Sequence, residues 1–183
     1  MLDYNECYHG TSYDNYLSIK ESKQFNFKSR KNHWLGQGVY FYVEDKDKAI
    51  WFVKASRSPY LRGKDKCVIQ AKISIEANDL LNLDTENGRN SLSDFAKALR
   101  QEGVKVTDKF KVNAELRCLL IDTYNKYNDI KAVKYTFADD KITYQDLNVN
   151  VGSYDRIRNT GIQINVVNQS IINFDELSVE CIA

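Results

Sequence analysis

The sequence has one proline, two histidines and no long apolar run. No stretch approaches the roughly 18 consecutive apolar residues that a membrane helix requires, so a soluble chain is expected. The opening "MLDYNECYHG" lacks the basic start and apolar segment of a secretory leader, which points to the cytoplasm. An excess of one charge is missing too: 26 basic and 25 acidic side chains leave a net charge of +1. That is too little for a global field toward nucleic acid or anionic lipid, although it leaves room for a local patch. The four cysteines (Cys7, Cys67, Cys118, Cys181) contain no C-x-x-C pair, which argues against a zinc ribbon or a dithiol motif; they read as small apolar residues in a reducing compartment. With His9 and His33 the only histidines, no ligand pair stands at zinc spacing, so a metal hydrolase is rejected and no metal is expected. A Cys-His nucleophile is poorly supported, because a cysteine in an apolar strand is more often buried than reactive. No repeat, linker or low-complexity tract divides the chain, so one domain over residues 1–183 is expected.

What is present is a succession of short periodic segments. "ECYHGT" reads as a short strand ending at Gly10, and "SYDNYLSIKES" as a helix capped by Ser12, with Tyr13, Tyr16, Leu17 and Ile19 near one side. "GVYFYV" is a second strand, and "DKDKAIWFVKASRS" a helix with acids first and bases last, offering Ala49, Ile50, Phe52 and Val53 to a core. In "CVIQAKISIE" the residues Cys67, Ile69, Ala71, Ile73 and Ile75 alternate with mostly polar ones, the signature of a strand with one buried face. Helices are predicted from about Leu92 to Glu102, closed by Gly103, and from about Val112 to Tyr127, with Leu116, Leu119, Leu120 and Thr123 or Tyr124 on one stripe. "IKAVKYTF", "KITYQDLNV", "IQINVVN" and "IINFDELSVECI" return to strands. Strands and helices are segregated, so the expected fold class is α+β with a largely antiparallel, split sheet.

Two glycine-bearing segments carry the candidate chemistry. In "YHGT", His9 precedes Gly10, whose missing Cβ would let a ligand lie against backbone, with the Thr11 hydroxyl beside it. "WLGQGVYF" places Gly36 and Gly38 at the entry to an aromatic strand, and Trp51 follows on the next helix. Tyr40 and Trp51 could sandwich a planar heterocycle. Ordinary core packing accounts for the same aromatic spacing without a ligand.

The order His9-Gly10-Thr11, then Gly38-Val39-Tyr40-Phe41, then a helix with Ala49 and Trp51 resembles the first two thirds of the ADP-ribosyltransferase signature. The branch is the His-Tyr-Glu one of diphtheria toxin and the poly(ADP-ribose) polymerases, and the likeness is to its small bacterial toxin-like members. It covers residues 7 to about 55 well and about 161 to 172 more loosely. The resemblance implies a split-sheet fold whose cleft binds NAD as substrate. It implies that His9 bonds the adenosine ribose, that Gly10 holds the nicotinamide carboxamide through its backbone with Thr11 supporting it, and that Tyr40 stacks on the nicotinamide with Trp51 as the second aromatic. It also implies an intracellular toxin or anti-phage effector acting on a protein or nucleic-acid acceptor, with a neutralising antitoxin protein as partner.

The sequence departs from that pattern at the glutamate that steadies the ribosyl cation. The aligned position is Gln163 in "TGIQINVVN"; glutamine accepts a hydrogen bond but brings no negative charge. Asp155, in the loop that selects the acceptor in that family, is a second candidate. Arg156 and Arg158 beside it, and Lys28, Arg30, Lys31 and His33 near the other rim, would give a local basic lining for phosphate, or simply a solvated surface. Two readings compete with a transferase: a catalytically weak or inactive NAD or ADP-ribose binding module of the same fold, and, ranked lower for want of a full basic set, an NAD-dependent RNA 2′-phosphotransferase.

Overall fold

The computed structural model describes residues 1–103, 113–143 and 158–182, the side chains of 138–143 and 158–160 excepted. Seven strands and four α-helices follow in the order β1 (Leu2–Ser12), α1 (Tyr13–Ser22), β2 (Val39–Val43), α2 (Lys46–Ala55), β3 (Lys66–Ile75), β4 (Leu80–Asn82), α3 (Glu86–Gln101), α4 (Asn113–Tyr127), β5 (Ala132–Thr143), β6 (Arg158–Val166) and β7 (Ser178–Ile182). The strands hydrogen-bond in one sheet of order β4-β5-β6-β2-β1-β3-β7. Every pairing is antiparallel except β4 with β5, so the fold is α+β with a mostly antiparallel sheet. The strands run in a single hydrogen-bonded order rather than as the two parts of a split sheet.

The alternation of each strand divides the core between two faces. On one face, Cys7, Phe41, Ile69, Ile73, Ile164 and Val166 are buried beneath α1, through Tyr16 and Ile19, and beneath Phe25 from the segment after α1. On the other face α2 lays Ala49 and Val53 over Tyr8 and Val68. Farther along that face, α4 lays Ile121 over Leu81 and Val133, together with Leu35. The alternation read in "CVIQAKISIE" is borne out: Cys67, Ile69, Ala71, Ile73 and Ile75 are all buried.

Several boundaries differ from the sequence reading. The first strand runs to Ser12 rather than ending at Gly10, and the Ser12 hydroxyl caps α1 by accepting from Asn15 N–H. Tyr13 and Leu17 of α1 and Phe52 of α2 are exposed, although the Phe52 ring still meets that of Tyr42 in β2 at 6.2 Å. α3 starts at Glu86, capped by the Thr85 side chain, six residues before the apolar periodicity begins at Leu92. In α4 the buried positions are Cys118, Ile121 and Asn125 and Leu119 is exposed; of the stripe read in the sequence, Tyr124 packs on the core cluster and Leu120 borders Tyr135 and Phe137. "IINFDELSVECI" begins at the end of one 3-10 turn, Gln169–Ile171, and holds a second, Phe174–Glu176, so that only its end, Ser178–Ile182, is the strand β7. Cys181 is exposed on that edge strand, directly across from buried Cys67, whereas the other cysteines are buried as expected. Most of "KITYQDLNV" lies outside the described residues.

Among the described residues no helix is long and apolar enough to cross a membrane, and no group of three or more His, Cys, Asp or Glu could hold a metal ion.

Candidate functional site

The two glycine-bearing segments and the strand that carries Gln163 converge because β1, β2 and β6 are neighbours at the centre of the sheet. His9 Nδ1 lies 2.9 Å from the Tyr40 carbonyl oxygen. A carbonyl only accepts, so Nδ1 carries the proton and Nε2 is left as the acceptor. The imidazole packs against Phe25 and Phe41, with ring centroids 5.3 and 5.6 Å away. Burial lowers its pKa, and the Tyr40 carbonyl only partly opposes that. His9 is thus a neutral imidazole of fixed tautomer. On the same face Thr11 is buried and accepts from Asn15 Nδ2 at 3.1 Å.

Gly10 points the opposite way, and its open side is already used. A Cβ built there would lie 2.7 Å from Val53 Cβ and 2.9 Å from the Ala49 carbonyl oxygen. Glycine is required at this position so that α2 can pack directly on β1.

The second segment is a turn held from three directions. Gly36 and Gly38 have φ of +82° and +153°, a region that side chains disfavour. The Tyr40 hydroxyl accepts from Leu35 N–H and donates to the Gly36 carbonyl, both at 2.8 Å. Burial raises the Tyr40 pKa strongly, so the phenol is a structural clamp at neutral pH and offers the site only its ring. Asn165, fully buried in β6, donates to the carbonyls of Leu35, Gly36 and Gln37 at 2.7 to 3.2 Å. Asp122 of α4 accepts from Gln37 N–H at 2.6 Å. The sequence reading missed Asn165 and Asp122; the available signal for Asn165 was a polar residue at a core position of an alternating strand.

The third element is Gln163. Register pairs it with Tyr42 of β2 on one side and Tyr135 of β5 on the other. Because Tyr8 faces Tyr42 across β1 and β2, Gln163 shares the α2 face of the sheet, and the His9 ring lies on the opposite face. Next to it, Lys48 of α2 crosses Gly161 so closely that a Cβ there would sit 3.1 Å from Lys48 Cδ. Trp51, on α2, is 65% exposed. Tyr40 packs instead into the Leu35, Ile121 and Val133 cluster, so the two aromatics of the sandwich sit over different halves of this face.

Lys28, Arg30 and Lys31 are exposed. The His33 ring meets the Tyr40 ring edge-on at 5.6 Å, and its pKa is lowered by burial first and by Arg30 second. Asp155 and Arg156 lie outside the described residues, and Arg158 is described by its backbone alone.

No protein-family model matches the chain, and no solved structure matches it. An uncharacterized protein of Methanocaldococcus jannaschii is 36% identical over 78 residues, a stretch that covers 42% of this chain and 36% of that relative. The chain therefore matches little more than a third of the relative's length.

Proposed function

We propose that this chain is an NAD-dependent mono-ADP-ribosyltransferase acting on a macromolecular acceptor, protein or nucleic acid, in the role of a toxin or anti-phage effector with a neutralising partner. The observation that carries the reading is the bond between His9 and the Tyr40 carbonyl. It joins the two glycine-bearing segments and leaves a neutral Nε2 suited to accept a hydrogen bond from a ribose hydroxyl. Gln163 on the α2 face contributes an amide for the ribose 2′-hydroxyl and Trp51 of α2 an exposed aromatic face, while the Tyr40 ring, packed with Leu35, Ile121 and Val133, holds the glycine turn.

The reaction breaks the bond between ribose C1′ and the nicotinamide nitrogen. Nicotinamide leaves with the electron pair, and an acceptor nitrogen or oxygen bonds to C1′ and loses its proton. The chain's task is to hold the dinucleotide and to favour developing positive charge on the ribose. Gln163 does this through the dipole of its amide rather than through a charge.

A binding module of the same fold is the second reading, favoured by that lack of charge at Gln163 and by the engaged Tyr40 hydroxyl. Nicotinamide release from NAD separates the two. The transferase reading expects release by the wild-type chain and a fall of about a hundredfold in Gln163→Ala. Release that appears only in Gln163→Glu would instead establish the binding module.

A further inference from the structure

Beside Gln163, on the same face of the sheet, lies a pocket of about 390 Å³, inside the range that holds small organic ligands. Its wall is apolar and aromatic: Trp34, Tyr135 and Phe137 form a contiguous group, with centroids 5.0 Å apart for Trp34 and Phe137 and 4.8 Å for Tyr135 and Phe137. Leu92 of α3 closes one side, and two arginines, Arg89 and Arg117, stand on the helices that border it. Trp34 is 54% exposed, so part of its ring is open to solvent beside Phe137. Arg89 is held in place by Nη1, which donates to the Leu83 and Asp84 carbonyls at 3.0 and 2.8 Å. The Asp84 carboxylate is engaged elsewhere, by Lys134 and by Thr136. Among the described residues, those that line the pocket thus include two cations and no anion.

Flat apolar rings flanked by guanidinium groups match one chemistry, an aromatic base joined to a phosphate. We propose that this pocket binds a nucleotide of a single-stranded nucleic acid and so presents the acceptor strand to the neighbouring Gln163. Tyr135 lines the pocket and is the register partner of Gln163, which puts a base seated there one strand away from the reacting ribose. A duplex hides its base faces, so a single strand is the form that fits. The acceptor role rests on the transferase reading above; the binding itself does not.

The test uses fluorescence anisotropy with a labelled RNA single strand of about ten mixed-sequence nucleotides at low salt, and measures NAD consumption on the same preparations. Trp34 and Arg117 are both exposed, so Trp34→Ala and Arg117→Glu should keep the fold, checked by circular dichroism. The wild-type chain is expected to bind the strand, Trp34→Ala to weaken it about tenfold, and Arg117→Glu to weaken it severalfold with a shallower dependence on salt. Absence of binding by the folded wild-type chain, or equal binding by both variants, overturns the proposal. So does transfer of label from NAD to protein alone that neither substitution changes. Pocket-dependent binding without NAD consumption would keep the nucleotide site and remove the transferase reading; NAD consumption without strand binding would do the reverse.

Discussion

Tyr40 uses both capacities of its hydroxyl on the turn before it, accepting from Leu35 and donating to Gly36. Tyr40→Phe therefore leaves a buried N–H without an acceptor, and chemical denaturation should show a loss of about 1–3 kcal/mol. His9 gives a different signature. Burial lowers its pKa below the ordinary 6.5, and that of His33 moves the same way. The unfolded chain thus binds protons on these residues at a higher pH than the folded one. Stability should be level above about pH 6.5 and fall as the pH drops through that value toward the folded pKa. A melting temperature that declines between pH 7 and 5, with a weaker decline in His9→Gln, is the expected result. Both residues were legible as candidates in the sequence. Their partners were not, because the clamp on Leu35 and the choice of tautomer depend on which backbone groups the fold brings opposite each ring.

Elements meet at Gly10, where α2 lies against β1 with no room for a Cβ. Gly10→Ala should push Val53 and the Ala49 backbone away, costing about 1–3 kcal/mol in a thermal or denaturant melt. The glycine stood out in the sequence as a place for close backbone approach; the approaching group is a helix of the chain itself. The strand from Cys67 to Ile75 was readable, since its period of two with one buried face survives, whereas the three-residue β4 is too short to show a period. Helix faces were less readable. The apolar side of α4 was sought in its leucines, yet Cys118, Ile121 and Asn125 face inward, because its angle on the sheet is set by contacts with Leu35 and Val133 that local spacing does not encode. The start of α3 was missed because its first turn, "ENGRN", is polar and capped by Thr85, leaving no apolar periodicity to read.

At the scale of the whole molecule, the sheet order places β1, β2 and β6 side by side, so residues far apart in sequence share one region. The α2 face carries Gln163, Lys48, Trp51 and the aromatic pocket around Trp34, while the His9 ring lies on the other side and reaches the second segment through the Tyr40 carbonyl. The proposed transferase therefore needs His9 on one face of the sheet and Gln163 with the aromatic pocket on the other. The direct test is to incubate the purified chain with labelled NAD and a cell lysate and then separate nicotinamide, protein and nucleic acid. Free nicotinamide and label in a macromolecular fraction are expected, both lost in His9→Ala while the fold is retained. No nicotinamide and no label from the folded wild-type chain, or equal label from His9→Ala, would contradict the transferase reading.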